Sequence, residues 1–187
     1  SWRESSNEHY LRSNELHGKT LVIIGYGRIG KKIYNYAEAF GMNIKWYDPY
    51  IDSEFFDVKL QRGRIHSIDE LKEINPDAIS INCYLTEETT NMVDSKFLEG
   101  LKDNLIVVNT SRGEVVNEHD ILDLVKKRKI IFATDVLQGE QKQNDLQTSS
   151  LMDVYRKYEN LIITPHVAGA TLESQTKALK GILECLR

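Results

Sequence analysis

The sequence predicts an α/β protein built on a doubly wound parallel sheet, and three observations carry that prediction. Short apolar, β-branched runs alternate with helical patterns along most of the chain. The run Thr20-Leu-Val-Ile-Ile-Gly25-Tyr-Gly27-Arg-Ile-Gly30 places a glycine-rich turn between the first strand and the first helix. Asp48 closes the next apolar run, 18 residues after Gly30.

Residues 1–17 are polar with scattered aromatics, Trp2 and Tyr10, and read as a helical lead-in. Leu21 to Ile24 is apolar without alternation, as a parallel strand buried on both faces should be. Ile29, Ile33, Tyr34, Ala37 and Phe40 then recur at helical spacing. Asn43 to Tyr47 reads as the second strand. Ser67-Ile-Asp-Glu70 is a capping box opening a short helix, and Asn75-Pro76 stops it. Strands are expected at Asp77 to Asn82, Asn104 to Asn109, Ile130 to Val136 and Leu161 to Thr164. Helices are expected from Asp94 to Leu101 and from an Asn117 cap to about Lys127. Gly139 to Glu159 is polar and without period. Thr171 to Arg187 reads as a final helix with Leu172, Ala178, Leu179, Ile182, Leu183 and Leu186 as its apolar positions.

Strand, glycine turn, helix and acid at these spacings make a dinucleotide-binding pattern, hence a Rossmann fold with a single nucleotide-binding domain. Gly25 permits the tight turn. Gly27 lets the backbone approach a pyrophosphate, and Gly30 lets the helix pack close to the strand. The free N–H groups of the first helical turn, around Arg28 and Ile29, face the phosphates. Asp48 can accept both hydroxyls of an adenosine ribose and would repel a 2′-phosphate. Pro49-Tyr50 brings no adjacent arginine. NAD is therefore expected over NADP.

The 187 residues suffice for one domain with appended pieces. A net charge of −4 with 28% charged residues gives no basic surface for nucleic acid. No apolar run approaches the roughly 20 residues of a membrane span. Cys83 and Cys185 lie far apart with no metal or redox spacing, so no metal is expected. Their usage fits a reducing, cytoplasmic compartment. The opening Ser-Trp-Arg-Glu, without Met, reads as a piece of a longer protein.

Ligands of such sheets sit at the carboxyl ends of the strands. Those ends carry Asp48, then Cys83-Tyr84-Leu85-Thr86, then Thr110-Ser111-Arg112-Gly113, then Asp135 with Glu140, then Thr164-Pro165-His166. Arg112 offers a planar fork for a carboxylate. An arginine just before a helix N-terminus is electrostatically unfavourable, which favours a functional reason for it. His166 alone reads as a core histidine, and Glu140 alone as a loop carboxylate. Together, beside a dinucleotide, they suit hydride transfer between an alcohol and a ketone next to a carboxylate. His9, His17, His66 and His119 show no ligand spacing, and Lys126 to Lys129 reads as a solvated helix end.

From about Glu15 to Ser174 the chain resembles the nucleotide-binding domain of the D-isomer-specific 2-hydroxyacid dehydrogenases. The matching residues are Leu16-His-Gly-Lys-Thr20 entering the glycine turn, Leu85-Thr-Glu-Glu-Thr89, Val108-Asn-Thr-Ser-Arg-Gly-Glu-Val-Val-Asn117, Asp135-Val136 with Glu140, and Thr164-Pro-His-Val-Ala-Gly169. The resemblance implies that Arg112 binds the substrate carboxylate, that His166 is the general acid/base, that Glu140 pairs with it, and that Asp135 holds the nicotinamide amide. It implies cofactor contacts from Gly25, Gly27, Arg28, Ile29, Gly30, Asp48, Pro49, Cys83, Tyr84, Thr89, Thr110, Ser111, Arg112, Asp135, His166 and Gly169. The chain departs from the pattern at Asn82-Cys83-Tyr84, where His-x-Pro is frequent, and at Gln141, where a proline usually follows the acid.

The resemblance also implies an organisation. Residues 1–17 form a lead-in or hinge, 18–170 the NAD-binding domain, and 171–187 a helix returning toward a substrate domain built from residues outside this chain. A small 2-hydroxy or 2-oxo acid is the expected substrate. A homodimer is expected, with Ser1 to His17 contributing to the interface. A non-catalytic NAD-binding sensor on the same fold is the alternative, and fold alone would not separate the two. Retention of Arg112, Glu140 and His166 together favours the enzyme.

Overall fold

The computed structural model describes residues 13–51, 62–140 and 149–185. Six strands form one parallel sheet: β1 (Thr20–Ile24), β2 (Asn43–Tyr47), β3 (Ala78–Ile81), β4 (Leu105–Asn109), β5 (Ile130–Thr134) and β6 (Leu161–Ile163). Their order is β2-β1-β3-β4-β5-β6. The chain steps from β1 to β2 on one side and returns to β3 on the other, so the winding reverses at β1. The crevice at the carboxyl ends of β1 and β3 is thus the switch point where such sheets take ligands. Beyond β2 the sheet gains one parallel bridge, Trp46 with Arg64.

Among the described residues the α-helices are α1 (Arg28–Ala39), α2 (Glu70–Ile74), α3 (Ser95–Leu98) and α4 (Glu118–Lys126) between strands, and α5 (Leu172–Cys185) after the last one. Alternate residues of each strand feed two cores. Val22, Ile24, Ile79, Ile81, Val107 and Phe132 meet Leu71 of α2, Leu98 of α3 and Ile121 and Val125 of α4. Leu21, Ile23 and Trp46 meet Tyr34 and Ala37 of α1. The second face is shorter. Ile106 and Ile162 lie there 40% and 52% exposed, with no described helix over them.

Several elements differ from the sequence reading. In α1 the buried stripe is Gly30, Tyr34 and Ala37, while Ile29 and Phe40 face solvent. Tyr26, from the glycine turn, is buried between α1 and the sheet. Its ring stacks on Trp46 at 4.1 Å and meets Tyr34 edge-on at 5.8 Å. Residues 13–17 are not helical, and residues 1–12, with Trp2 and Tyr10, lie outside the described residues. The helix after Asp94 is a single turn, capped by Asp94 on the Phe97 N–H at 2.7 Å. It stops before Gly100, whose φ of +81° breaks the helical path. The capping box is half formed. Glu70 Oε1 accepts the Ser67 and His66 N–H groups, but Ser67 Oγ takes the Asp69 N–H instead, so α2 begins at Glu70. Asn117 caps α4 as expected, through Asp120 N–H at 3.2 Å.

Candidate active site

The first half of the site is the glycine turn. Gly25 sits at φ +88°, and a Cβ there would lie 2.6 Å from the Asn82 carbonyl carbon and the Cys83 nitrogen. The turn therefore needs glycine for both its conformation and its contact with the end of β3. Above Gly27 nothing lies within 4 Å of where a Cβ would be, so the backbone is open to a ligand. The N-terminus of α1 has no side-chain cap and no acidic residue in its first turn. Its N–H groups remain a cradle for an anion.

Asp48 leaves β2 beside this turn. Oδ2 accepts the Tyr26 N–H at 2.9 Å and Oδ1 the Tyr50 N–H at 3.0 Å. Both oxygens keep a second lone pair for hydroxyl donors. A cavity of about 260 Å³ opens here, lined by Gly25, Gly27, Asp48, Pro49, Cys83, Tyr84 and Thr89 of the expected contacts. Thr89 Oγ1 donates to the Tyr84 carbonyl at 2.7 Å and shapes the loop after β3. Burial pushes the Cys83 thiol up to about 11, so it stays protonated as an apolar wall. Sequence reasoning missed Tyr50 and Glu88. Tyr50 Oη donates to Glu88 Oε2 at 2.6 Å across the cavity rim. Tyr26, also missed, anchors the turn from below. Arg28, Ile29 and Gly30 lie in the first turn of α1 rather than in the cavity wall. Glycines, an uncapped helix and a free-rimmed carboxylate fit a dinucleotide.

The second half lies at the ends of β4, β5 and β6. Fully buried Asn109 orders the turn after β4. Its Oδ1 accepts Ser111 N–H and Oγ–H, and its Nδ2 donates to the Arg112 carbonyl. Thr110 and Arg112 are exposed, and Arg112 Nη1 donates to the Ser111 carbonyl at 2.6 Å. Gly113 brings this turn to the next. A Cβ there would lie 2.0 Å from the Leu137 carbonyl carbon.

His166 and Glu140 meet, with Nδ1 2.7 Å from Oε1. That Oε1 is buried and makes no aligned hydrogen bond among the described residues, so the contact is a close approach that becomes an ion pair when the imidazole carries a second proton. Glu140 Oε2 accepts the Leu137 N–H at 2.9 Å. His166 holds a left-handed backbone at φ +53°. A non-glycine residue there is over-determined by its neighbours. Buried Asp135 does this. It accepts Thr164 Oγ1, Val167 N–H and Ala168 N–H, gripping the loop on both sides of His166. Burial alone would raise the Asp135 carboxyl, but these hydrogen bonds outweigh it and hold it below the usual aspartate range. Gly169 follows, its carbonyl accepting Ser174 Oγ at the start of α5. A larger cavity of about 580 Å³ opens at the opposite edge, among Lys102, Leu105 and Ile130, far from these groups.

An α/β fold with a cavity at its switch point, beneath a glycine turn and an uncapped helix, has the form of a dinucleotide-binding domain. The chain belongs to the D-isomer specific 2-hydroxyacid dehydrogenase family, whose NAD binding domain matches residues 1–168. It is 37% identical over 168 residues to a D-3-phosphoglycerate dehydrogenase of Methanocaldococcus jannaschii, covering 88% of this chain and 30% of that one. It is 34% identical to a hydroxypyruvate reductase of Blautia hydrogenotrophica, covering 88% and 48%. Its structure is similar to that of D-lactate dehydrogenase from Aquifex aeolicus, solved with NAD and lactic acid. That match has a TM-score of 0.82 at 29% identity and covers 99% of this chain and 57% of the other. The chain thus spans about half or less of the curated relatives named here. The cofactor of this domain is NAD.

Proposed function

We propose that the chain is the cofactor half of an oxidoreductase interconverting small D-2-hydroxy acids and 2-oxo acids. The observation that carries this is the Glu140–His166 pair on the same sheet edge as the dinucleotide cavity. NAD, when bound, supplies or accepts the hydride. Because Nδ1 faces Glu140, His166 has Nε2 free to give a proton to the substrate oxygen or take it away. Glu140 orients the ring and offsets its charge when both nitrogens are protonated. Arg112, exposed at the end of β4, offers its fork to the substrate carboxylate. Asp135 fixes the His166 loop, and its role at a nicotinamide amide is a further part of this reading.

The same reading assigns residues 1–17 to a lead-in, 18–170 to the NAD domain and 171–187 to a helix leading toward a substrate domain. It takes a cytoplasmic homodimer as the working form. Among the described residues no helix is long and apolar enough to cross a membrane.

The test is turnover of NADH by the full-length protein with a panel of 2-oxo acids. At least one should be reduced, and His166→Gln should lower kcat about a hundredfold or more while leaving NADH affinity near that of the parent. NADH binding with no turnover on any member of the panel would favour the sensor reading instead.

A further inference from the structure

The loop leaving β5 donates three successive backbone N–H groups to three different carboxylates. Leu137 gives to Glu140 Oε2 at 2.9 Å, Gln138 to Glu118 Oε1 at 2.8 Å and Gly139 to Glu114 Oε1 at 3.2 Å. Glu114 and Glu118 both follow Arg112 in sequence, on the 3₁₀ turn and the first residue of α4. Glu118 is the buried member. Its Oε2 accepts Ser149 Oγ at 2.8 Å, and the Ser150 N–H also bonds to it. One carboxylate therefore holds the chain two residues before Glu140 and again at Ser149 and Ser150.

A buried carboxylate is costly unless geometry repays it. Burial pushes the Glu118 carboxyl up, against the donors from Gln138, Ser149 and Ser150. An apolar side chain would cost less here but would leave three donors without an acceptor. Glutamine has the same size and presents an NH₂ where one of those donors points. The interaction thus needs an acceptor on both sides.

We propose that Glu118 is a positioning residue for the Glu140–His166 pair, its carboxylate bridging Gln138 N–H and Ser149 Oγ so that Glu140 meets the imidazole. This rests on the reading of that pair as the acid–base couple, and it acts through Glu140 without touching the ring. It also ties the Arg112 segment to the Glu140 loop, with Gly113 allowing the two backbones to touch.

The test is the imidazole tautomer of His166, read from long-range ¹⁵N–¹H spectra of the chain well above the range where histidine titrates. The negative Glu140 Oε1 lying 2.7 Å from Nδ1 favours a proton on that nitrogen and predicts the Nδ1–H form in the parent. Glu140→Leu should return the ring to the ordinary Nε2–H form. Glu118→Gln should move roughly half or more of the signal the same way, as expected when an orienting partner is displaced. Ser149→Ala, which removes one of the bridged donors and leaves the carboxylate, should move a smaller share and keeps the test open if Glu118→Gln fails to fold. Spectra of Glu118→Gln and Ser149→Ala that superimpose on the parent, with Glu140→Leu shifted, would overturn the role of Glu118 alone. A parent spectrum unchanged by Glu140→Leu would instead overturn the pair on which it rests.

Discussion

The two ends of the site are built by opposite means. The end at β1, α1 and β2, expected to hold the adenosine, is shaped by what is missing: side chains at Gly25 and Gly27, a cap on α1, and a basic residue next to Asp48 in the sequence. The end at β4, β5 and β6, proposed above as the acid–base end, is shaped by buried polar groups. Asn109, Glu118 and Asp135 each use one side chain to hold a whole turn. Glycine turns specify a shape through the backbone, and local spacing suffices to encode it. Carboxylate clamps specify a shape through partners 20 to 33 residues away. The first end should fail sterically and the second electrostatically.

The largest effect is expected from Gly25→Ala. Its Cβ would fall 2.6 Å from the backbone at Asn82 and Cys83, and φ +88° is strained for any L side chain. Backbone cannot yield as a flexible side chain can. The strain and overpacking should together cost about 3 kcal/mol or more. Urea unfolding would measure this, and NADH titration should show binding lost with it. A variant as stable as the parent would mean that β3 can move away from the turn, and that the adenosine end is not sterically fixed.

Asp135→Asn comes next, at about 2 kcal/mol, because an amide weakens bonds to three donors and turns its own NH₂ toward one of them. This loss should depend on pH. The folded carboxyl lies below the unfolded value near 4, so its stabilisation is complete above that value and lost as pH falls through the folded one. Thermal melts at stepped pH should therefore show parent and variant converging on acidification. Glu118 carries the opposite sign. Burial raises its carboxyl, so its contribution is fullest below the usual glutamate value and declines as pH rises through the folded one. A parent–variant gap at Asp135 that stays constant down to strongly acidic pH would show that the clamp is not ionic.

The same contrast explains what the sequence made legible. The strands emerged from β-branched runs, and the glycine turn with Asp48 located one end of the site. Glu140 and His166 were visible as residue types at the ends of neighbouring strands, and the fold sets Oε1 and Nδ1 2.7 Å apart. Tyr26, Tyr50 and Glu88 were not legible, because an aromatic within a glycine turn or a rim carboxylate has no periodic signature. Glu118 reads from sequence as an ordinary acidic residue in a helix's first turn, favourable there for the dipole alone. Its burial, and its bonds to Gln138 and Ser149, depend on how two distant loops cross. Ile29 and Phe40 fit the helical period yet face solvent, while Tyr26, which lies outside the helix and its period, is buried with Tyr34 and Trp46.

Asp48→Ala should have a smaller effect, on cofactor choice. With the carboxylate gone, the preference for NADH over NADPH should narrow by about tenfold, the equivalent of 1.4 kcal/mol for one ionic hydrogen bond. Parallel titrations of parent and variant would read it directly. Tighter NADPH binding in the parent would contradict the role given to Asp48. An unchanged ratio in the variant would move the discrimination to Glu88, the second carboxylate on the rim.

The smallest effect is expected outside both ends, on α5. This helix is exposed along nearly its whole length, and Leu179 is 64% open to solvent. Its Ser174 is held locally by Thr171 and Gly169, so its start is fixed without any contact from its apolar positions. Leu179→Lys replaces one good helix former with another at a largely exposed position, and the lysine stem can cover the same neighbours. The change in unfolding free energy should stay within about 0.5 kcal/mol, the range of ordinary surface positions. Urea unfolding at a low and a high protein concentration would check it. A loss above about 1 kcal/mol that is independent of concentration would mean that α5 packs against its own chain, over the open face at Ile106 and Ile162. A loss that appears only at high concentration would place Leu179 between two copies. Either result would make α5 part of the folded unit, whereas a null result leaves its apolar face free for a separate domain.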